Sequence, residues 1–353
     1  MMRDQLVLDE VQRLAAAAGC DIELLRDVAS VRARWSTAPL VLLDLEAAIA
    51  LGGVGLPRRR QVVVLSSVEP EPVAWESAVK VGADQVFEVV AGRQWLAGAL
   101  ADAVESPAGE SGRVLAVVGA RGGAGASVLS AAVALVGLRA AQHVLLIDCD
   151  PLGGGLDLLI GAEEEAGLRW PDMRLTGGRV AASTLCQALP GRRQGDGSLT
   201  LLSCAREGPG PEPSAVAAVV DAGRRAGHTV ICDLARDLNG ASAAVLDRAD
   251  LSVVVVPAEV RACAAARRMA EGMRDRGLVV HAVVRGPAPG GLTPTDVCEA
   301  TGMRLLTSMR SERGLASQVE RGRFMPNSRG SLVSAAQDVL AALHDERDRA
   351  GVR

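Results

Sequence analysis

One stretch constrains this chain more than any other: a strand-sized apolar run that breaks into glycines and then into a helical pattern. Arg113–Gly119 is almost entirely Val, Leu and Ala, and Ala120-Arg121-Gly122-Gly123-Ala124-Gly125-Ala126-Ser127 comes next, leading into an apolar helix. Strand, glycine loop and helix together bring backbone N–H groups and a helix N-terminus onto anionic oxygens. The three glycines let backbone and phosphate approach without Cβ clashes. Ser127 stands where a loop hydroxyl ligates Mg²⁺. Taken alone, the glycines also read as a plain structural turn, so the acids further along the chain decide between the two.

Those acids stand at the ends of a series of buried strands. Apolar runs at 113–119, 143–149, 199–204, 229–233, 251–257, 278–285 and 304–308 alternate with helical patterns. Near-continuous Val/Leu/Ile runs fit strands buried on both faces of a parallel sheet. The pattern predicts a doubly wound α/β domain, whose ligands sit at the carboxyl ends of its strands. The second run ends in Asp148-Cys149-Asp150 and the fourth in Asp233. An acidic turn after a strand is the plainer reading of the Asp148–Asp150 pair. The Gly153-Gly154-Gly155-Leu156-Asp157-Leu158-Leu159 tail weighs against it.

Ahead of this domain lies a second βα-rich segment, with a helix over 6–18, strands over 40–44 and 61–66, a helix over 75–81, a strand within 84–90 and a closing helix over 94–104. The polar stretch 105–112, rich in Pro, Gly and Ser, reads as a linker. The expected division is therefore 1–104, linker 105–112, 113–345, and a tail 346–353.

The glycine loop and the acids together resemble the deviant Walker A family of P-loop proteins: MinD, ParA and the CpaE (TadZ) proteins of pilus-type secretion systems. Their loop reads roughly K-G-G-V-G-K-T. The resemblance covers about residues 113–343 and is nearest to the actinobacterial CpaE-like septum site-determining proteins. Strings such as Gly167-Leu168-Arg169-Trp170-Pro171-Asp172, Gly177-Gly178-Arg179 and Glu320-Arg321-Gly322-Arg323 carry that nearer likeness. It implies ATP and Mg²⁺ as cofactors, held by Arg121, Gly122, Gly123, Ala124, Gly125, Ala126 and Ser127. It places the metal at Ser127, Asp148 and Asp233, and Asp150 beside the γ-phosphate and attacking water. Arg121 takes the place of the signature lysine, which in the family reaches across a homodimer. Ala126 takes the place of the lysine on the β and γ phosphates, and there the charge is lost. Arg285 lies in the neighbourhood of the family's adenine-contacting Asn, and Leu234-Ala235-Arg236-Asp237 replaces its usual Pro-Gly switch. The expectation is a degenerate ATP site with little or no hydrolysis. Its role would be positioning cell-division or Tad-type pilus and secretion proteins, in a cytoplasmic protein recruited to septum or pole. The alternative is an active ParA/MinD-like ATPase partitioning cargo on DNA or membrane.

The N-terminal segment resembles a response-regulator receiver, a flavodoxin-like fold, through Asp44, Ser66 and Gly82-Ala83-Asp84. It departs from that pattern where a receiver needs a phosphate-binding Lys, because Val89 stands there, and its first strand is missing from the sequence pattern. A non-phosphorylated docking domain is expected.

Composition removes other classes. Net charge is -4, so no global basic field points to nucleic acid. The arginines of 304–329 read first as a solvated face, with phosphate contacts to DNA as the alternative. Ser331 to His344 reads as a helix docked on the sheet rather than on a membrane. The seven cysteines form no C-x-x-C pair, and the four histidines are scattered. Structural zinc and nucleophilic catalysis are not indicated.

Overall fold

The structure is a computed structural model. It describes the chain except residues 1, 60, 106–110, 174–179, 181, 209 and 351–353, and the side chains of 105 and 346–350. Most of the expected linker and the Gly177-Gly178-Arg179 string therefore lie outside the described residues. Two compact units form, Met1–Ser111 and Gly112–Arg353.

In the first unit, three strands make a parallel sheet in the order β1 (Val41–Asp44), β2 (Val62–Ser66), β3 (Gln85–Glu88). Every β2 residue is buried, as expected of a central strand with cover on both faces. The helices Pro72–Val81 and Leu45–Gly52 pack together, and Gln5–Ala18 packs on Arg93–Glu105. Separate apolar clusters form around Trp35, Leu43 and Leu51, and around Val11, Leu65 and Leu96.

Asp44 is fully built into this unit. It is buried at 2% exposure. One carboxylate oxygen caps the helix Leu45–Gly52 by accepting the Ala47 N–H at 2.8 Å. The other accepts the backbone N–H groups of Arg3 and Asp4. Asp4 in turn caps Gln5–Ala18 and accepts the Ser67 hydroxyl at 2.7 Å. Val89, at the place of the receiver lysine, is a buried apolar residue. The site that resembles a phosphoacceptor thus works as the clasp between β1 and the chain start.

In the second unit, an eight-stranded sheet runs β11 (Arg304–Arg310), β10 (Val280–Gly286), β9 (Leu251–Pro257), β4 (Arg113–Gly119), β8 (Thr229–Leu234), β5 (His143–Cys149), β7 (Gly197–Leu202), β6 (Gly191–Gln194). All neighbours are parallel except β6 and β7. Large apolar clusters cover the two faces: one around Trp170, Val219 and Ala266, the other around Leu129, Leu146 and Val339. The fold is the expected doubly wound, mainly parallel α/β sheet. β6 was not expected. Its sequence, Gly-Arg-Arg-Gln, has no apolar alternation, and it exists only as the edge of a hairpin closed at Gly195 with φ +58°. The 199–204 strand is displaced as well, beginning at Gly197 and ending at Leu202.

The clasp at Asp44 generates a prediction. Asp44→Ala removes a helix cap and leaves buried N–H donors unpaired, and should destabilise the first unit by about 1–3 kcal/mol. Incubation of wild type with a small-molecule phosphodonor and Mg²⁺ should leave the intact mass unchanged. A phosphate adduct absent from Asp44→Asn would contradict this assignment.

Candidate functional site

The central strand β4 lies between β9 and β8 and delivers its carboxyl end to the glycine loop. Gly123 and Gly125 have φ +69° and +100°, which turns successive N–H groups toward one side. The helix Ala126–Arg139 starts at once, with Gly125 as its cap and no side chain taking that role. Its first N–H groups are left for another acceptor. Ala124 is buried against the sheet, and Gly122 has open space where a Cβ would stand.

Two acids reach the foot of the loop in register. Asp148 of β5 and Asp233 of β8 are paired residues on neighbouring parallel strands, and both are buried. Their compensation differs. The Asp148 carboxylate accepts the N–H groups of Asp150 and Leu156 at 3.1 Å each, the Cys204 N–H at 3.4 Å and the Ser203 hydroxyl at 3.3 Å. Burial still pushes its pKa up against those bonds. Asp148, one of the acids expected at the metal, also anchors the turn after β5.

Among the described residues Asp233 accepts the Ser130 hydroxyl at 3.4 Å, and the nearby Ser127 hydroxyl favours its charged form. Burial, with Asp148 and Asp150 adding negative charge, pushes its pKa to about 7. This carboxylate is short of positive charge and lines the same cleft as the Ser127 hydroxyl, and the two are a donor pair that an Mg²⁺ ion carried in with phosphates would use. Among the described residues no group of three His, Cys, Asp or Glu side chains is spaced to hold a metal alone. The residues therefore fit a metal that brings phosphate oxygens with it.

Asp150 sits at the start of an exposed turn. Its Oδ1 accepts the Leu152 N–H at 3.1 Å, and Leu152 itself projects into solvent. Asp150, Asp148, Asp233, Ser127 and Gly153–Gly155 line one wall of a cleft of about 640 Å³. Val319, Glu320, Arg321 and Gly322 form another part of its wall. The Glu320–Arg323 string thus contributes to the site, a placement not derivable from its sequence. The wall is fixed where Gly161 meets the Gly322 carbonyl with no room for a Cβ.

The string at 167–172 also has a structural explanation. Trp170 is buried in the core, and its Nε1 donates to the Asp148 carbonyl at 2.7 Å. Arg169 pairs with buried Asp157 at 3.3 Å and donates to the Ala162 carbonyl at 3.1 Å. Burial disfavours the charge on Asp157, but Arg206 at 2.9 Å and the Ser203 hydroxyl hold its pKa below the usual value. These contacts brace the segment after β5 from behind.

Arg121 does not extend freely from the loop. Its Nη2 donates to both carboxylate oxygens of Glu259, at 2.8 and 2.9 Å, and its Nη1 donates to the Gly122 carbonyl at 2.9 Å. Its Nε is buried without a partner among the described residues. Glu259, just beyond β9, was missed at the sequence level. The only signal was an acid shortly after a strand end. Arg285, at the end of β10, brings a second guanidinium to the loop beside Gly125.

The second unit has a MinD/ParA-like P-loop α/β fold, and a CheY-like unit precedes it in the chain. Residues 1–111 match the family described as Rv3660c-like, CheY-like N-terminal domain. Over 346 residues the chain is 44% identical to a Mycobacterium tuberculosis (H37Rv) protein described as uncharacterized protein Rv3660c, covering 97% of each. The chain belongs to this Rv3660c family. Solved structures with the same fold include a ParA family ATPase from Chlorobium tepidum, at 14% identity, TM-score 0.54, covering 67% of this chain and 98% of that one. Another is the septum site-determining protein MinD complexed with Mg-ADP from Pyrococcus horikoshii, at 14% identity and TM-score 0.54, covering 66% and 98%. A third is the MinC:MinD complex of Aquifex aeolicus, at 18% identity and TM-score 0.53, covering 65% and 96%.

Asp233 yields a pH prediction. Its folded pKa, about 7, stands above the ordinary 3.8, so the folded state binds an extra proton between those values. Stability from this group is present at low pH and is lost as pH rises through that window. In chelator and without nucleotide, wild type should lose stability relative to Asp233→Asn between about pH 4 and pH 7, on the order of a few kcal/mol. Parallel thermal melts check this, and a difference between the two proteins that does not change with pH would contradict it.

Proposed function

We propose that this protein is a nucleotide-responsive positioning protein of the deviant Walker A, CpaE-like septum site-determining kind. It binds ATP with Mg²⁺ at the Arg121–Ser127 loop and hydrolyses little or none of it. The observation that carries this reading is a phosphate loop with positive-φ glycines and the Ser127–Asp233 pair, but with alanine at residue 126. Binding parts are retained while a charge needed during phosphoryl transfer is gone from its usual place. The Pyrococcus neighbour's description names Mg-ADP, in keeping with a site that takes phosphate and metal together.

The cargo on this reading is cell-division or pilus and secretion machinery, with the CheY-like unit as a docking module whose Asp44 is spent on structure. The Aquifex neighbour is described as a MinC:MinD complex, a partner protein held by this fold. Recruitment to septum or pole would come through such a partner, since no helix among the described residues is long and apolar enough to cross a membrane. The protein acts as a homodimer in this reading, and Arg121 exchanges Glu259 for the partner's nucleotide when two loops meet.

Two measurements test the reading. A lost transition-state cation typically costs on the order of 100-fold or more in rate, so ATP turnover should sit at or near background while ATP·Mg²⁺ still binds. Robust turnover that disappears in Asp150→Ala would favour an active partitioning ATPase instead. In sedimentation with ATP and Mg²⁺, wild type should dimerise and Arg121→Ala should remain monomeric. A wild type that stays monomeric in every condition would remove the dimer from the mode of action.

A further inference from the structure

The cation missing at residue 126 has a replacement from another strand. We propose that Arg285 supplies the phosphate-binding charge of this site, gripping the terminal phosphates of a nucleoside di- or triphosphate from above the glycine loop. The inference rests on the nucleotide-binding reading of the same loop and assigns a ligand group within it.

Four observations carry it. Arg285 is the penultimate residue of β10, in register with Pro257 of β9 and Met309 of β11, and its carbonyl accepts the Ala258 N–H at 2.9 Å. Its backbone is therefore fixed on the sheet rather than carried on a loop. Its side chain lies along the loop: a Cβ built on Gly125 would stand 3.3 Å from Arg285 Nη1 and 3.7 Å from its Cδ. Residue 125 immediately precedes Ala126, so the guanidinium sits beside the position from which the usual lysine would start. The side chain is half-buried and makes no hydrogen bond or ion pair among the described residues. The charged groups around it are Arg121 and Glu259.

The charge balance gives the third and fourth observations their force. Glu259 is engaged through both oxygens by Arg121. One carboxylate therefore faces two guanidiniums at the loop, leaving an unbalanced positive charge beside the N–H groups of Gly123–Ser127. Burial and the neighbouring Arg121 both press the Arg285 pKa down, with Glu259 only partly opposing. Holding an arginine there without a partner is unfavourable until an anion arrives. A guanidinium presents five N–H donors in a planar fork suited to phosphate oxygens, which a lysine at 126 would meet as a point charge. The alternative for Arg285 is a contact with the nucleotide base. That alternative predicts sensitivity to the base and none to a bare polyphosphate.

The test is a calorimetric titration of the full chain with ATP·Mg²⁺ and, separately, with inorganic tripolyphosphate and Mg²⁺. Arg285→Gln keeps a polar stem over Gly125 and removes the charge. It should weaken both ligands by roughly tenfold or more, the scale of losing hydrogen bonds to a charged group. Arg285→Lys should recover much of the loss, and adding Ala126→Lys to Arg285→Gln should recover it from the other side of the loop. That reciprocal rescue is a result a merely structural arginine would not give. Wild type binding both ligands with Arg285→Gln unchanged would overturn the inference and leave the nucleotide reading standing. Loss confined to ATP, with tripolyphosphate unaffected, would overturn it in favour of base contact. Wild type binding neither ligand would overturn the inference and the nucleotide reading together.

Discussion

Two carboxylates buried side by side at the ends of neighbouring parallel strands set the terms for the second unit. Asp148 and Asp233 are in register, and burying two like charges is costly unless each finds donors. The chain answers differently at the two positions. At Asp148, the turn after β5 folds back so that the Asp150 and Leu156 N–H groups point at the carboxylate, and the segment after β7 adds the Cys204 N–H and the Ser203 hydroxyl. Trp170, Arg169 and Asp157 lock that turn from behind. At Asp233 the groups that approach among the described residues are serine hydroxyls, and the group stays short of positive charge, with its pKa pushed to about 7. The same strand-end acid is a structural post in one case and a group suited to a cation in the other. The difference lies in the number of donors rather than in residue type.

A parallel division holds in the first unit, where Asp44 has a position suggestive of a phosphoacceptor but a different job. Three backbone N–H groups converge on its carboxylate, one from the helix it caps and two from the chain start. A carboxylate so occupied is a poor nucleophile, because attack would require giving up bonds that hold the unit together. Val89 adds an apolar wall where a receiver presents a cation.

Sequence reasoning reached the parts of this protein that are local. The glycine loop is legible because φ freedom and chain order are backbone properties written in consecutive residues. Most strands of the second unit are legible because burial on both faces leaves unbroken Val/Leu runs. β6 was illegible because an edge strand of Gly-Arg-Arg-Gln carries no burial signal. The Arg121–Glu259 pair was illegible because its members lie 138 residues apart and meet only when β4 and β9 lie side by side. Arg285 was visible as a departure from the family pattern, but its position over Gly125 depends on the register of β10. Strings without evident chemistry, such as Arg169-Trp170 and Glu320-Arg321-Gly322, proved to be a brace and a cleft wall. Both are roles defined by partners distant in sequence.

The site is electrically divided, and that division limits what it can hold. On one side, Arg121 and Arg285 bring two positive charges against one carboxylate, with backbone N–H groups turned the same way. On the other, Asp233, Asp148 and Asp150 concentrate negative charge around the Ser127 hydroxyl. A bare anion satisfies the arginines and is repelled by the acids. A bare divalent cation satisfies the acids but, with no group of three ligating side chains among the described residues, lacks a shell. A phosphate chain with its own Mg²⁺ places each charge against its opposite and completes the metal's coordination from the ligand side. Alanine at residue 126 does not abolish this logic, because the positive side of the site comes from Arg121, just after β4, and from Arg285 on β10. On the proposed reading, what alanine at 126 leaves out is a charge on the first turn of the helix, able to follow a phosphoryl group as it moves. A guanidinium held on a sheet strand is suited to grip rather than to follow, which is the property the proposed binding role with little hydrolysis calls for.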